Sequence, residues 1–179
     1  MMAVGAGGRW QTARMSKPRA AFGSVLFLVV APGVMAGAIP WALTAWEGRS
    51  PWLGLQVAGL ICIAGGALAL LHAFARFVIE GLGTPAPIAP TERLVVGGLY
   101  RYVRNPMYLA VTATIVGQAL LLGRPGLALY AGVFAAVVAA FAHTYEEPTL
   151  ARRYGDEYEA YRAAVPGWWP RRTPWSPGR

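Results

Sequence analysis

Residues 52–79 read WLGLQVAGLICIAGGALALLHAFARFVI. Only Gln56, His72 and Arg76 interrupt this apolar run with strongly polar groups. About 20 apolar residues are enough for a helix to cross a bilayer. Three more apolar stretches flank it, at 20–46, 107–122 and 127–144. The third, 107–122, is short for a span, and Pro32 and Pro40 predict a kink in the first. No stretch alternates with period 2, so a membrane β-barrel is not supported. The expected fold is all-α and polytopic, with about four transmembrane helices at 20–46, 52–79, 107–122 and 127–144.

Composition agrees. The 179 residues are 56% hydrophobic and 13% charged, the latter about half the ~25% of soluble domains. That excludes an ordinary cytosolic globule and a disordered chain. The single Cys62 excludes an internal disulfide, a cysteine zinc cluster and an iron–sulfur site. With only His72 and His143 beside it, no metal site is expected.

The net charge of +8 is spread unevenly. Thirteen Lys and Arg fall in the N-terminal tail, the 80–106 segment and the C-terminal tail, against Arg49 and Arg124 on the other side. The positive-inside rule then puts both termini in the cytoplasm, and the expected location is the cell inner membrane, as a multi-pass protein. No nucleic-acid motif accompanies the basic tail, so membrane lipids, not nucleic acid, are its expected partners. Residues 1–19 are expected to be a disordered cytoplasmic tail and 20–179 a single membrane domain. Ala36-Gly37-Ala38 is a passable signal-cleavage site, but the apolar run continues to Trp46, so the first span reads as an uncleaved anchor. In the last span Ala128, Ala131, Ala135, Ala139 and Ala142 form a stripe that suits close helix packing.

The outer loops are very short, so any site belongs on the cytoplasmic side. Residues 81–90 hold three prolines and two glycines and read as an extended connector. Next comes Leu94-Val95-Val96-Gly97-Gly98-Leu99-Tyr100-Arg101-Tyr102-Val103-Arg104-Asn105-Pro106-Met107-Tyr108. Gly97-Gly98 permits positive φ and close backbone approach. Asn105 is expected to be extended before Pro106, which suits a first helical turn. The stretch reads either as a helix N-terminus that receives an anion or as an interfacial loop with arginines on lipid phosphates. Glu146-Glu147 ends the last span. The pair is either a solvated helix end or the partner of an organic cation or an arginine. His143 and Glu147 share a helical face.

In the second span His72, Arg76 and Glu80 recur at i, i+4 and i+8, and Arg76–Glu80 reads as an ion pair. His72, Arg76 and His143 are candidate substrate residues. They would line a lateral passage from the inner leaflet between the second and fourth spans. The alternative for His72 is a hydrogen bond within the bundle. After Pro148 the chain reads as an amphipathic cytoplasmic helix with Tyr154, Tyr158 and Tyr161 on one face. Trp168, Trp169, Arg171 and Arg172 follow, a composition suited to the headgroup layer.

Gly98-Leu99-Tyr100-Arg101-Tyr102-Val103-Arg104-Asn105-Pro106-Met107-Tyr108 resembles a G-x-Y-x-x-x-R-H-P-x-Y signature. Glu146-Glu147, the run Tyr154 to Tyr161 and Val165-Pro166 resemble its second half. The signature is that of the membrane S-adenosylmethionine methyltransferases, the isoprenylcysteine carboxyl methyltransferases and phospholipid methyltransferases, and the likeness covers roughly residues 83–172. It implies methyl transfer from S-adenosyl-L-methionine to a lipophilic acceptor, with the cofactor region at 91–108 and 143–172. Carried over, the cofactor residues are Leu94, Val95, Gly98, Tyr100, Asn105, Pro106, Tyr108, Glu146 and Glu147. The catalytic candidates are Glu146, Tyr108 and Arg104. Asn105 stands where the signature has His, and Ala142 stands near where prenylcysteine enzymes place an Arg. The acceptor therefore stays open among amine, thiol and carboxylate. Two other readings remain, a nicotinamide-dependent membrane reductase of the sterol type and a non-enzymatic membrane subunit.

Overall fold

A computed structural model describes residues 30–81 and 93–176. The expected tail at 1–19, the start of the first span and the connector at 82–90 lie outside the described residues. Among those described, every regular element is helical. We label them α1 (Val30–Thr44), α2 (Leu53–Gly81), α3 (Pro106–Leu122), α4 (Pro125–Tyr154) and α5 (Asp156–Ala164). A single 3-10 turn, Gly98–Arg101, precedes α3.

Two helices are long enough and hold a stretch apolar enough to cross a membrane, one in α2 within Leu53–Arg76 and one in α4 within Pro125–Tyr154. The apolar helices α1 and α3 are shorter.

The closest helix contact does not use the alanine stripe. It joins α2 to α3 through glycines. A Cβ at Gly59 would lie 2.6 Å from the Gly117 carbonyl oxygen, and one at Gly117 would lie 2.6 Å from that of Gly59. At Gly66 it would meet the Ala110 carbonyl at 2.7 Å. The two backbones thus touch directly, as small residues allow where no hydrophobic effect drives helices together. In the other direction α3 packs against α4, where Ala131 and Ala142 are buried but Ala128 is exposed. So α3 sits between α2 and α4, which make little contact with each other.

Proline shapes both π turns. Pro40 has no N–H for the Ala36 carbonyl. The preceding turn, Val34–Ala38, widens so that the Ile39 N–H bonds to Val34 rather than Met35. The carbonyls of Met35 and Ala36 both lose their helical donors. Tyr130 of α4 donates its hydroxyl to Met35 at 2.9 Å, and Gln118 of α3 donates Nε2 to Ala36 at 2.7 Å. Gln118 is buried and also accepts from Trp46 Nε1 at 3.2 Å.

The same device recurs in α4. The expected end of the last span at Thr144 is not a helix end. A π turn, Ala142–Glu146, precedes Pro148, and the helix continues to Tyr154. Widening the turn before the proline removes the clash that would otherwise break the helix. One extra residue in the turn advances the following face by about 100°, so it sets which way Glu147 points. The single amphipathic helix expected after Pro148 is instead two pieces, divided at Gly155, whose φ of +51° favours glycine. Tyr158 and Tyr161, whose spacing put them on one face, are buried inside the protein with Val165, and Tyr154 packs against them.

Candidate active site

Residues 94–96 carry no regular secondary structure, and their side chains divide between two clusters. Val95 buries against Ala73 of α2 and Tyr100. Leu94 and Val96 pack on the other side, against the Tyr158, Tyr161 and Val165 cluster. The segment thereby bridges α2 and α5.

The two glycines that follow lie against the end of α2. The Gly97 N–H donates to Glu80 Oε2 at 2.9 Å, and any Cβ there would overlap that carboxylate. Gly98 has φ +56°, and a Cβ on it would fall 2.6 Å from His72 Nε2 and 2.8 Å from Arg76 Cγ. The face predicted from i, i+4, i+8 spacing is thus the face on which the loop rests. Arg76 and Glu80 pair at 3.2 Å.

Pro106 opens α3 at a position where its missing N–H costs nothing. Asn105 precedes it with φ −114° and ψ 53°, and no side chain caps the helix start. Instead the Asn105 backbone N–H and Nδ2 both donate to the Gly167 carbonyl, at 3.2 and 3.1 Å.

One turn into α3, the Tyr108 hydroxyl donates to Glu146 Oε1 at 2.6 Å. Arg104 Nη1 lies 2.9 Å from Glu147 Oε1 and donates to the Tyr158 hydroxyl at 3.0 Å. Arg104 and Glu147 are 15% and 16% exposed, so this pair is largely withdrawn from water. Arg104 Nε is buried with no acceptor among the described residues. His143 Nδ1 approaches Glu147 Oε2 at 3.6 Å, as their spacing predicted, but its side chain is 83% exposed. Burial pushes the hydroxyls of Tyr100, Tyr158 and Tyr161 above the ordinary phenol range, most strongly at Tyr100. All three stay neutral, and Tyr161 donates to the Tyr100 carbonyl at 2.7 Å.

The structure therefore gathers Arg104, Tyr108, Glu146 and Glu147 where the start of α3 meets the π turn of α4. His72 and Arg76 flank Gly98 on the α2 side. His143 meets Glu147 at the edge of the cluster. Two contributors escape the sequence reading. Tyr158 seats Arg104, although the tyrosine spacing already marked it as special. Trp168 stacks on Tyr108, with centroids 6.3 Å apart and planes at 21°. Its sequence neighbourhood suggested only a headgroup anchor.

Comparison with curated proteins finds no match. The sequence model of one family, phospholipid methyltransferase, does match, over residues 55–157. That is more than half of the chain, and it takes in α2, the signature loop, α3 and both glutamates. The chain belongs to the phospholipid methyltransferase family.

Proposed function

We propose that the protein transfers a methyl group from S-adenosyl-L-methionine to a lipophilic acceptor at the cytoplasmic face of the inner membrane. The observation that carries this reading is the Arg104–Glu147 and Tyr108–Glu146 cluster, which lies within the matched family region. In the proposed arrangement all four apolar segments span the bilayer and both termini are cytoplasmic, on the Lys/Arg asymmetry. Cysteines placed near Arg49 and near Arg171 are then expected to label from opposite faces. Labelling of both from one face overturns the arrangement.

The donors and acceptors present fit the cofactor. Arg104 Nε is a buried donor awaiting an acceptor, which a carboxylate supplies. Glu147 is balanced by Arg104, whereas Glu146 has a hydroxyl partner but no ion pair among the described residues. A carboxylate so held suits an ammonium or sulfonium. Gly98 and the backbone around it, with Leu94, Val95, Tyr100 and Pro106, would form the wall, Val95 and Tyr100 as buried support. When bound, S-adenosylmethionine supplies a methyl group already activated on sulfur. The chain's own part is alignment and fixed charge. Arg104 holds Glu147 in place and Tyr108 orients Glu146. In this reading the acceptor enters laterally from the inner leaflet between α2 and α4, past His72 and Arg76 at one side and His143 at the other.

The test is titration of purified protein with S-adenosylmethionine, followed by transfer of a labelled methyl group into an inner-membrane lipid extract. Binding and label in the lipid fraction are expected. Binding of a nicotinamide dinucleotide without S-adenosylmethionine binding, or no small-molecule binding, overturns the reading.

A further inference from the structure

The chain from Pro166 to Ser176 lies beyond the residues that the family model matches, yet it runs along the signature loop. The Arg104 and Asn105 N–H groups donate to Pro166 and Gly167, and those of Arg171 and Trp175 donate back to Tyr102 and Arg101. The Arg101 guanidinium returns to the Trp175 carbonyl at 2.6 Å. The approach is close at Gly167, where a Cβ would stand 3.2 Å from Arg104 Nη2. The next residue is Trp168, half-buried on the ring of Tyr108, while Trp169 beside it is 81% exposed.

A continuous chain of contacts follows. Asn105 grips Gly167 through two donors. Gly167 places Trp168, Trp168 stacks on Tyr108, and the Tyr108 hydroxyl holds Glu146. A tyrosine ring fixed only at its hydroxyl can swing about its side-chain torsions. An aromatic neighbour on its face removes that freedom. We propose that Trp168 is a positioning residue of the methyl-transfer site, holding Tyr108 so that the Glu146 carboxylate keeps one orientation, with Asn105 as the pin that sets Trp168. In this position the Asn side chain adds one neutral donor, Nδ2, to the backbone N–H that any residue but proline would supply, a role that needs no titration near pH 7. The inference rests on the methyltransferase reading and deepens it.

Equilibrium binding of S-adenosylhomocysteine to the full-length protein separates this role from a merely structural one. The variants are Trp168→Ala, Trp168→Phe and Trp169→Ala, with Trp168→Ala also made in a Glu146→Gln background. Trp168→Ala is expected to raise Kd about tenfold in the parent but less than twofold on Glu146→Gln, since the group it positions is already gone. Trp168→Phe, which keeps a ring on Tyr108, is expected to stay within about threefold. Trp169→Ala is expected to leave Kd unchanged. Equal factors on both backgrounds, or a Trp168→Ala protein that binds like the parent, overturn the inference. A parent that binds neither S-adenosylhomocysteine nor S-adenosylmethionine overturns the methyltransferase reading instead. Where Trp168→Ala fails to fold, the Trp168→Phe and Trp168→Leu pair decides, with only the leucine variant expected to weaken binding.

Discussion

Replacing Gly117 by leucine is expected to separate α2 from α3 and unfold the bundle at a much lower temperature. The side chain would start 2.6 Å from the Gly59 carbonyl and 2.8 Å from Ile63 Cγ1, and backbone cannot yield as a flexible side chain does. Overpacking of a close contact costs about 1–3 kcal/mol and sometimes more. Here two backbones must move apart, so about 3 kcal/mol is the expected scale, a fall of roughly 10 °C in melting temperature. Circular dichroism melts in detergent provide the measurement, and Gly59→Leu is expected to behave alike. Gly65→Ala, where an added Cβ meets nothing within 4 Å, is the control and is expected to melt like the parent. A Gly117→Leu protein with an unchanged melt would show that the glycine contact does not hold the helices.

Arg104→Leu is expected to have the second large effect, through the charge it leaves behind. Glu147 is 16% exposed and would lose its 2.9 Å partner. Breaking one side of a buried ion pair costs about 3–5 kcal/mol, more than the net worth of the intact pair. Some exposure remains, so about 3 kcal/mol is the expected loss. The double variant Arg104→Leu with Glu147→Leu is expected to recover most of that stability. It is not expected to recover S-adenosylmethionine binding, because the buried Nε donor is absent in both. Melting temperature and ligand titration on the two proteins together make the check. Equal stability of the single and double variants would mean that Glu147 finds other solvation. Full ligand binding by the double variant would remove Arg104 from the proposed site.

The parts legible in the sequence are those with short-range causes. Pro106 and the Gly123-Arg124-Pro125 turn announce the ends of α3 and the start of α4, and Gly123 indeed caps α3 with φ +64°. The Arg76–Glu80 and His143–Glu147 pairs follow from helical spacing. The signature loop was visible as a motif, and its glycines met the predicted face of α2. What the sequence hid has long-range causes. Gly59, Gly66 and Gly117 are scattered in apolar runs where composition alone favours the alanine stripe of α4. The passage of α4 through Pro148 depends on a π turn that hydropathy does not register. The contacts of Tyr158 and Trp168 do not show in any local pattern, because their partners Arg104 and Tyr108 lie 54 and 60 residues away.

Pro40 also imposes an order on synthesis. In the proposed four-span arrangement, α1 is the first helix to meet the bilayer, and it does so with the Met35 and Ala36 carbonyls undonated. Their donors, Tyr130 and Gln118, lie 95 and 82 residues further along the chain. Each unsatisfied carbonyl in hydrocarbon costs several kcal/mol, so α1 has no settled place in lipid alone. Residue 118 closes one carbonyl and residue 130 the other, so the first helix to enter is among the last to be seated.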